Sequence, residues 1–332
     1  MNLKEVSHFD APGAGLLRQD QGRISLGSSE LSISPLGIGT WAWGDRLFWG
    51  YGRGGYTDSD LETAFQVSLG MGINFFDTAE VYGRGRSERL LGEFLRISGD
   101  KVVVATKFFP YPWRWRRAKL LGALRGSLER LGLDRVDLYQ IHWPYPPVPI
   151  ETWVAGLADA VDAGLSRAVG VSNYNPDQTR RAHAALAERG VPLVSNQVQY
   201  SLLHRRPERN GLFDVCRELD VTLIAYSPLA MGVLTGKYTP DNSPPGIRGR
   251  RYRRDYLAQV QPLIAVLREI GEARGELTPA QVALNWVICK GGVPIPGAKN
   301  ARQAEDNAGA LGWRLSGEEV AALDAASEGL QV

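Results

Sequence analysis

Apolar and polar positions alternate along this chain in blocks of two kinds. Short apolar runs, each followed by polar or turn residues, lie at Leu36–Ile38, Ile73–Phe76, Val102–Ala105, Val136–Ile141, Ala168–Val171, Val194–Val198, Thr222–Ala225 and Val293–Ile295. Longer segments, in which apolar residues return every three or four positions, lie at Ser59–Met71, Ser87–Arg96, Arg117–Leu131, Glu151–Ala163, Pro176–Glu188 and Pro207–Leu219. The first kind is typical of buried strands and the second of amphipathic helices. Strands that alternate with helices predict an α/β fold, and we expect a single (β/α)₈ barrel.

The residues before the first run predict a small antiparallel structure. The segment Ile24–Ser34 reads ISLGSSELSIS and is centred on a turn at Gly27–Glu30. We expect this hairpin to lie under the floor of the barrel, because it comes too early to be a barrel strand. Residues 1–22 mix charges of both signs and predict a loose N-terminal arm, which leaves 23–332 for the barrel domain.

Two predicted connections are much longer than the others. Thr40–Asp58 follows the first strand and is rich in glycine and aromatic residues. Pro228–Asp255 follows the seventh strand and contains the basic sequence PPGIRGRRYRRD. Long loops at the C-terminal ends of barrel strands usually shape an active site, so we expect both to do so.

Composition limits the class of protein. The chain has 332 residues, of which 44% are apolar and 22% charged, values that suit one large globular domain. A formal net charge of +2 gives no general attraction to nucleic acid or membrane, so we expect neither as a partner. The chain has no apolar stretch of membrane-spanning length, no secretory signal at its start and only two cysteines. We therefore expect a cytoplasmic protein without a disulfide framework.

Ionisable residues mark the ends of three neighbouring predicted strands. Asp77 follows the second run, Lys107 ends the sequence VVVATK, and His142 follows the fourth run, while Tyr82 lies in the loop after Asp77. Each residue alone is readily explained by packing or by a solvated strand end. Together they predict a site, because adjacent parallel strands end about 5 Å apart at the same rim of a barrel.

These residue types suit the reduction of a carbonyl group. Hydride addition produces an alkoxide that needs a proton, and a phenol with a pKa near 10 is a poor donor until its charge balance is altered. We expect the Lys107 ammonium to lower the pKa of Tyr82 and Asp77 to hold Lys107 charged. His142 is then available to hydrogen-bond the substrate oxygen.

The sequence around these residues resembles a known family. The chain carries segments similar to successive signatures of the aldo-keto reductase superfamily: GINFFDTAEVYGRGRSERLLG, VVVATK, VDLYQIHWP, VGVSNY and IAYSPLAMGVLTGKY. The similarity extends from Gly27 to about Leu323 and is greatest to bacterial and plastid-type members and to the voltage-gated potassium-channel β-subunit branch. It implies an NADP-dependent enzyme that reduces aldehydes or ketones to alcohols, with Tyr82 as the acid and Asp77, Lys107 and His142 completing the tetrad. A regulatory subunit of the same fold that senses the cofactor with little turnover is the alternative.

The nicotinamide cofactor needs a site other than a Rossmann motif, since no predicted strand is followed by GxGxxG. Polar or aromatic residues that suit a nicotinamide and its carboxamide lie in or after runs five to seven, at Ser172, Asn173, Gln197 and Tyr226. The family resemblance implies the same role for these positions.

The phosphates of the cofactor are expected near the last two strands. The sequence SPLAMGVLTGK offers small residues and backbone donors for a diphosphate, and the resemblance makes Lys237 a phosphate contact. The helix after run eight presents its N-terminus and Lys299, whose charge favours NADP over NAD. The resemblance places Gly297 and Lys299 by the 2′-phosphate and adds contacts at Thr40, Trp41, Asp77, Ser227, Pro228, Leu229, Gly232, Gln303, Asp306 and Asn307. We also expect Pro228–Asp255 to be a mobile flap that closes over NADPH.

Aromatic residues dominate the loops expected to shape the substrate pocket, at Trp41, Trp43, Trp49, Trp113 and Trp143. They predict a flat apolar or aromatic aldehyde, ketone or quinone as substrate, with packing at the rim as the alternative. We assign the pocket to Trp43, Tyr82, Trp113, His142 and Trp143. The basic clusters WRWRR and RGRRYRR could hold an anionic substrate or clamp the cofactor, although a solvated rim explains most of their arginines.

A metal-dependent barrel hydrolase is the remaining rival interpretation. Such an enzyme needs clustered histidine ligands, and no such set is formed by His8, His142, His183 and His204. We therefore expect no metal site. A homo-oligomer is compatible with the sequence, which does not specify one.

Overall fold

A small antiparallel sheet precedes the main sheet in the structure, a computed structural model that describes residues 19–20, 22–52, 55–98 and 102–330. Its strands are β1 (Gln19–Asp20), β2 (Arg23–Ser25) and β3 (Ser32–Ile33). The turn between β2 and β3 is the predicted one, and the Leu26 N–H donates to the Leu31 carbonyl across it. The predicted arm lies outside the described residues up to position 18, and β1 falls within its last part.

Parallel strands in sequence order form the main sheet. They are β4 (Ile38–Gly39), β5 (Phe75–Asp77), β6 (Val103–Phe108), β7 (Val136–Ile141), β8 (Ser166–Ser172), β9 (Leu193–Gln199), β10 (Thr222–Tyr226) and β11 (Val293–Ile295). The first and last strands meet, because Gly37 and Gly39 donate backbone hydrogen bonds of 3.0 Å to the carbonyls of Pro294 and Pro296. Glycine is needed at this seam, since a Cβ on Gly37 would lie 2.5 Å from the Phe75 ring. The sheet thus closes into a barrel.

Helices connect the strands on the outside. The described helices are α1 (Asp58–Gly70), α2 (Arg86–Ser98), α3 (Ala118–Leu131), α4 (Ile150–Asp162), α5 (Pro176–Ala187), α6 (Arg206–Arg209), α7 (Leu212–Glu218), α8 (Ile247–Arg251), α9 (Arg254–Ala273), α10 (Pro279–Cys289), α11 (Ala301–Ala308) and α12 (Gly317–Ala326). The single helix predicted over Pro207–Leu219 is wrong. Gly211 has a φ of +78° and separates α6 from α7. The predicted (β/α)₈ architecture is confirmed.

Two hydrophobic cores hold the barrel. The larger one lies between the strands and the surrounding helices. The smaller one fills the lower interior, where Ile24, Leu26, Leu31 and Ile33 pack with inward-facing strand residues that include Phe75. The hairpin therefore closes the barrel floor, as predicted, and leaves the opposite rim for chemistry.

The two long connections carry short helical elements. The connection after β4 leads into α1, while the one after β10 contains a 3-10 turn (Ala230–Thr235) and α8 before α9 begins. No helix in the described part of the chain is long and apolar enough to cross a membrane.

Candidate active site

The four predicted catalytic residues meet at the C-terminal rim of the barrel. Asp77 is the last residue of β5, and His142 directly follows β7. Tyr82 begins a short 3-10 turn (Tyr82–Gly85) whose Gly83 and Arg84 both adopt positive φ. Lys107 lies inside β6 rather than after it, because that strand runs three residues beyond the predicted end at Ala105 and reaches Phe108.

Lys107 joins Asp77 to Tyr82. Its fully buried ammonium forms an ion pair with Asp77 Oδ2 and donates to the Thr78 carbonyl at 2.9 Å. The Lys107 Nζ to Tyr82 hydroxyl distance is 3.4 Å. An ammonium carries three protons, so these three oxygens satisfy it completely and fix its position.

Two glutamines support the other oxygen of Asp77. Gln140 Nε2 donates to Asp77 Oδ1 at 3.1 Å, and Gln197 Nε2 donates to the same atom at 2.8 Å. A buried ion pair is stable only if its remaining lone pairs are also satisfied, and these amides do so. Gln140 was not among the predicted site residues. Its signal in the sequence is a polar side chain within the apolar run Val136–Ile141.

Burial controls the proton affinities of the site. Burial, with a further contribution from Asp77, raises the pKa of Tyr82 well above its usual value of 10.0. The expectation that Lys107 would lower this pKa is therefore wrong. Burial lowers the pKa of Lys107, while Asp77 and then Glu88 oppose that change. Burial and the nearby Lys107 lower the pKa of His142 well below 6.5, which leaves a neutral imidazole.

Aromatic rings surround Tyr82 and His142. The centroids of these two rings are 5.9 Å apart, with the planes nearly perpendicular at 83°. Trp41 lies 6.4 Å from Tyr82, and Phe109 lies 5.5 Å from His142. Tyr145 lies 6.1 Å from Phe109, and these rings form one wall of the site. Phe109 and Tyr145 were not predicted.

The three tryptophans assigned to the substrate pocket have different surroundings. Trp143 stacks on Tyr145 at 5.4 Å and so continues the aromatic wall. Trp113 stacks on Tyr111 and is 65% exposed, at the rim. Trp43 is fully buried in the larger core, where its Nε1 donates to the Ala298 carbonyl. The structure therefore makes Trp43 a packing residue that holds the loop carrying Lys299, instead of a pocket wall.

The residues assigned to the nicotinamide end form a hydrogen-bonded group beside the tetrad. Asn173, with a φ of +64°, donates from Nδ2 to the His142 carbonyl at 3.0 Å. Its Oδ1 accepts from the Tyr226 hydroxyl at 3.0 Å. Ser172 Oγ donates to the Gln197 carbonyl at 2.8 Å. The amide of Asn173 and the ring of Tyr226 are thereby fixed relative to His142.

A cluster of cations lies where a phosphate-bearing ligand was expected. Lys299, which follows β11, is near Lys237 and Arg248 of the connection after β10. Burial and then the charges of Arg248 and Lys237 lower the pKa of Lys299 to about 8. Arg248 was not predicted as a site residue, although it belongs to the basic sequence noted above.

The backbone after β10 is irregular over the segment assigned to the diphosphate. Positive φ angles occur at Ser227, Ala230, Met231 and Gly232. Pro228 and Leu229 lie between these positions, ahead of the 3-10 turn. Successive reversals of this kind turn backbone N–H groups toward one side, a geometry that suits anions.

Other residues assigned to the cofactor already have partners in the protein. Asp306 accepts from the Thr278 hydroxyl at 2.7 Å, and Asn307 donates to the Gly297 carbonyl at 3.3 Å. Gln303 Oε1 accepts from the Lys299 N–H at 3.0 Å. Thr40 Oγ1 donates to the Asp77 carbonyl at 3.1 Å. These contacts shape the loop around Lys299 and the base of Asp77.

Metal ligands do not cluster in the part of the chain that the structure describes. No group of three or more His, Cys, Asp or Glu side chains there could hold a metal ion.

Comparisons with known proteins show the family of this chain. The chain is 47% identical over 311 residues to the chloroplastic pyridoxal reductase of Arabidopsis thaliana, covering 90% of this chain and 84% of that protein. Among solved structures, the glycerol dehydrogenase of Gluconobacter oxydans has a TM-score of 0.82 at 28% identity and covers 92% of this chain and 94% of its own. An aldo/keto reductase from Klebsiella pneumoniae, solved with NADP and acetate, has a TM-score of 0.71 at 30% identity. The match covers 89% of this chain and 91% of that one. The sequence profile of the Aldo/keto reductase family matches residues 35–328. The chain belongs to the aldo/keto reductase family.

Proposed function

We propose that this protein reduces an aldehyde or ketone to an alcohol with NADPH, using Tyr82 as the general acid. The observation that carries this proposal is the buried chain of contacts from Asp77 through Lys107 to the Tyr82 hydroxyl. Such a chain at the rim of a barrel, in a member of this family, favours catalysis over a purely structural role.

Tyr82 supplies the proton. Because its pKa is raised, the phenol is fully protonated at neutral pH and is a donor for the oxygen of a carbonyl as that oxygen gains negative charge. Neutral His142 adds a hydrogen bond to the same oxygen without adding a competing charge. After proton transfer, the phenolate lies against the Lys107 ammonium, which stabilises it.

The residues of the cofactor region fit NADPH, which when bound would supply the hydride. The side chains of Asn173 and Tyr226 lie beside the tetrad, where the nicotinamide has to be. Lys237, Arg248 and Lys299 form a cationic cluster. Two buried donors near this cluster, Trp49 Nε1 and Arg248 Nε, have no hydrogen-bond partner in the described part of the chain. An anionic ligand rich in acceptors suits both features.

The substrate we propose is a flat aromatic aldehyde such as pyridoxal. The wall formed by Phe109, Tyr145 and Trp143 offers ring faces next to His142. The plant relative, a pyridoxal reductase at 47% identity, supports the same class. The glycerol dehydrogenase similarity points to small polyols and carbonyls, but a wall of aromatic rings has no matching surface on such a molecule.

Turnover measurements test both the proposed reduction of carbonyls with NADPH and the proposed aromatic substrate. Purified protein with NADPH is given pyridoxal, an aliphatic aldehyde of similar size, a quinone and a ketone, and the loss of NADPH absorbance is followed. We expect the highest kcat/KM with pyridoxal. Equal efficiency with the aliphatic aldehyde would contradict the aromatic substrate. Binding of NADPH without turnover of any of the four would favour the regulatory subunit that senses the cofactor.

The location and assembly of the protein are also proposals. Cys216 and Cys289 are both free thiols, which is consistent with a reducing cytoplasm. A plastid-like compartment is the alternative suggested by the name of the plant relative. A homo-oligomer is tested by the mass of the purified protein in solution.

A further inference from the structure

Trp49 lies where three loops at the mouth of the barrel meet. Its ring centroid is 5.0 Å from the guanidinium carbon of Arg248 and 5.1 Å from Lys299 Nζ. Arg248 belongs to α8 in the connection after β10, and Lys299 follows β11. Trp49 itself comes from the connection after β4, so it extends across to the cofactor side of the rim.

The cations around Trp49 have no acidic partners among the residues that the structure describes. None of the ion pairs within the described residues involves Lys237, Arg248 or Lys299. Two of these cations lie over aromatic rings instead of beside carboxylates: Lys299 Nζ is 5.0 Å from the centroid of the Tyr56 ring, and Lys237 Nζ is 5.0 Å from that of the Tyr238 ring. A ring face offsets only part of a positive charge, so the cluster favours an anionic ligand.

Unpartnered donors point to the same ligand. Trp49 Nε1 and Arg248 Nε are both buried, and neither has a hydrogen-bond partner among the described residues. A buried N–H without an acceptor is costly and rare in proteins. Two such donors beside three cations are matched by a group with several charged oxygens, such as a diphosphate.

The loop holds Trp49 in place through local contacts. Asp45 Oδ1 accepts from the N–H groups of Phe48 at 2.7 Å and of Trp49 at 3.3 Å. The Trp49 ring meets Trp41 edge-on at 5.5 Å, and Trp41 in turn faces Tyr82. The position of the indole is therefore set by the protein itself.

We propose that Trp49 forms the roof of the diphosphate-binding part of the cofactor site, with its indole N–H donating to a phosphate oxygen. The proposal rests on NADPH being the cofactor. It specifies the diphosphate because the Trp49 ring contacts Arg248, which belongs to the same connection as the irregular backbone assigned to the diphosphate, whereas Lys299, its other contact, is assigned to the 2′-phosphate. The diphosphate is common to NADPH and NADH, so Trp49 contributes to the affinity for both.

Trp49→Phe is the direct test, because it keeps an aromatic face and removes the N–H. Trp115→Phe is the matched control, since Trp115 is 66% exposed. Affinities for NADPH and NADH are measured by isothermal titration calorimetry. We expect Trp49→Phe to weaken both cofactors about tenfold or more, as for a hydrogen bond to a charged group, while the control leaves both unchanged.

A spectroscopic measurement tests the hydrogen bond without relying on a variant's affinity. In protein labelled with ¹⁵N at tryptophan, the indole N–H signal that is missing in Trp49→Phe should move downfield when NADP⁺ is added to the unmodified protein. A signal that does not move would show that the indole does not donate to the cofactor.

The affinity results distinguish the proposals. Unchanged affinity of Trp49→Phe for both cofactors would overturn the role of Trp49, and a loss confined to NADPH would overturn its assignment to the diphosphate. Failure of the unmodified protein to bind NADPH would overturn the proposed function, and the role of Trp49 with it.

Discussion

The ammonium of Lys107 lies 3.4 Å from the hydroxyl of Tyr82 while it is ion-paired with Asp77. One charge therefore connects the proposed acid to a buried carboxylate. The roles of Tyr82 and Lys107 can therefore be tested by separate mutations. The proposed role of Tyr82 is to supply a proton, whereas Lys107 also neutralises the charge of Asp77.

Replacement of Tyr82 by phenylalanine should remove catalysis with little effect on structure. The ring and its contacts with Trp41 and His142 remain, but the proton donor is lost. We expect kcat for aldehyde reduction to fall by about 10² to 10⁴-fold, the usual contribution of general acid catalysis. NADPH affinity, measured by fluorescence titration, should stay close to that of the unmodified protein. Retained turnover would rule out Tyr82 as the acid.

Lys107→Met should cost both activity and stability. It leaves Asp77 buried with only Gln140 and Gln197 as partners, and an unpaired buried charge costs about 3 to 5 kcal/mol. The double variant Asp77→Asn, Lys107→Met removes both charges. We expect urea unfolding to show a loss of stability in the single variant that is largely restored in the double one, while both stay inactive. Equal stability of the single variant and the unmodified protein would contradict the buried ion pair.

The pH dependence should differ between the two directions of the reaction. Reduction needs protonated Tyr82, and because its pKa is raised above 10.0, the rate of reduction should not fall until strongly alkaline pH. Oxidation of the alcohol needs deprotonated Tyr82 as the proton acceptor, so the rate of oxidation should rise as the pH becomes alkaline. Neutral His142 should produce no inflection near pH 6.5. Profiles of kcat/KM in both directions check this, and a reduction rate that falls through neutral pH would refute it.

Lys299 should control the preference for NADPH and its dependence on pH. The pKa of this lysine is lowered to about 8 by burial, Arg248 and Lys237, and a bound phosphate favours the charged form. NADPH affinity should therefore be greatest below pH 8 and weaken as the pH rises through that value, with proton uptake on binding. Calorimetry in two buffers of different ionisation enthalpy detects this uptake.

Two variants separate the charge of Lys299 from its packing. NADPH should bind the unmodified protein about tenfold more tightly than NADH, or more, as expected for a charge-assisted phosphate contact. Lys299→Met should reduce this preference, and Lys299→Glu should abolish or reverse it. Equal affinities of the unmodified protein for the two cofactors would exclude the role of Lys299.

The connection Pro228–Asp255 should close on cofactor binding. Arg248 of α8 contacts Trp49, and Tyr252 is buried in the larger core, so the segment has one anchored end and one contact at the rim. Hydrogen exchange within Ser243–Arg254 should slow when NADPH is added, while exchange in the β2–β3 hairpin under the barrel should not change. Equal protection of Ser243–Arg254 with and without NADPH would show that this segment is not a flap.

The sequence by itself determined the barrel and pointed to the four residues proposed for catalysis. Eight apolar runs separated by helical segments define the architecture, because strand and helix periods are local properties of the chain. The order of the strands alone brings Asp77, Lys107 and His142 together, because parallel strands of a barrel end at one rim. Tyr82 was assigned to the same site because it lies in the loop after the second strand and because of the family resemblance.

The tertiary structure decided what depends on contacts between distant residues and on burial. Gln140 reaches Asp77 from another strand, and Trp43 turned out to be a core residue although it lies in a loop rich in tryptophan. The pKa of Tyr82 rises instead of falling, because burial and then the charge of Asp77 both raise it, and burial is a property of the folded surroundings. The grouping of Trp49, Arg248 and Lys299 is likewise tertiary, since it joins three loops that only the closed barrel brings to one place.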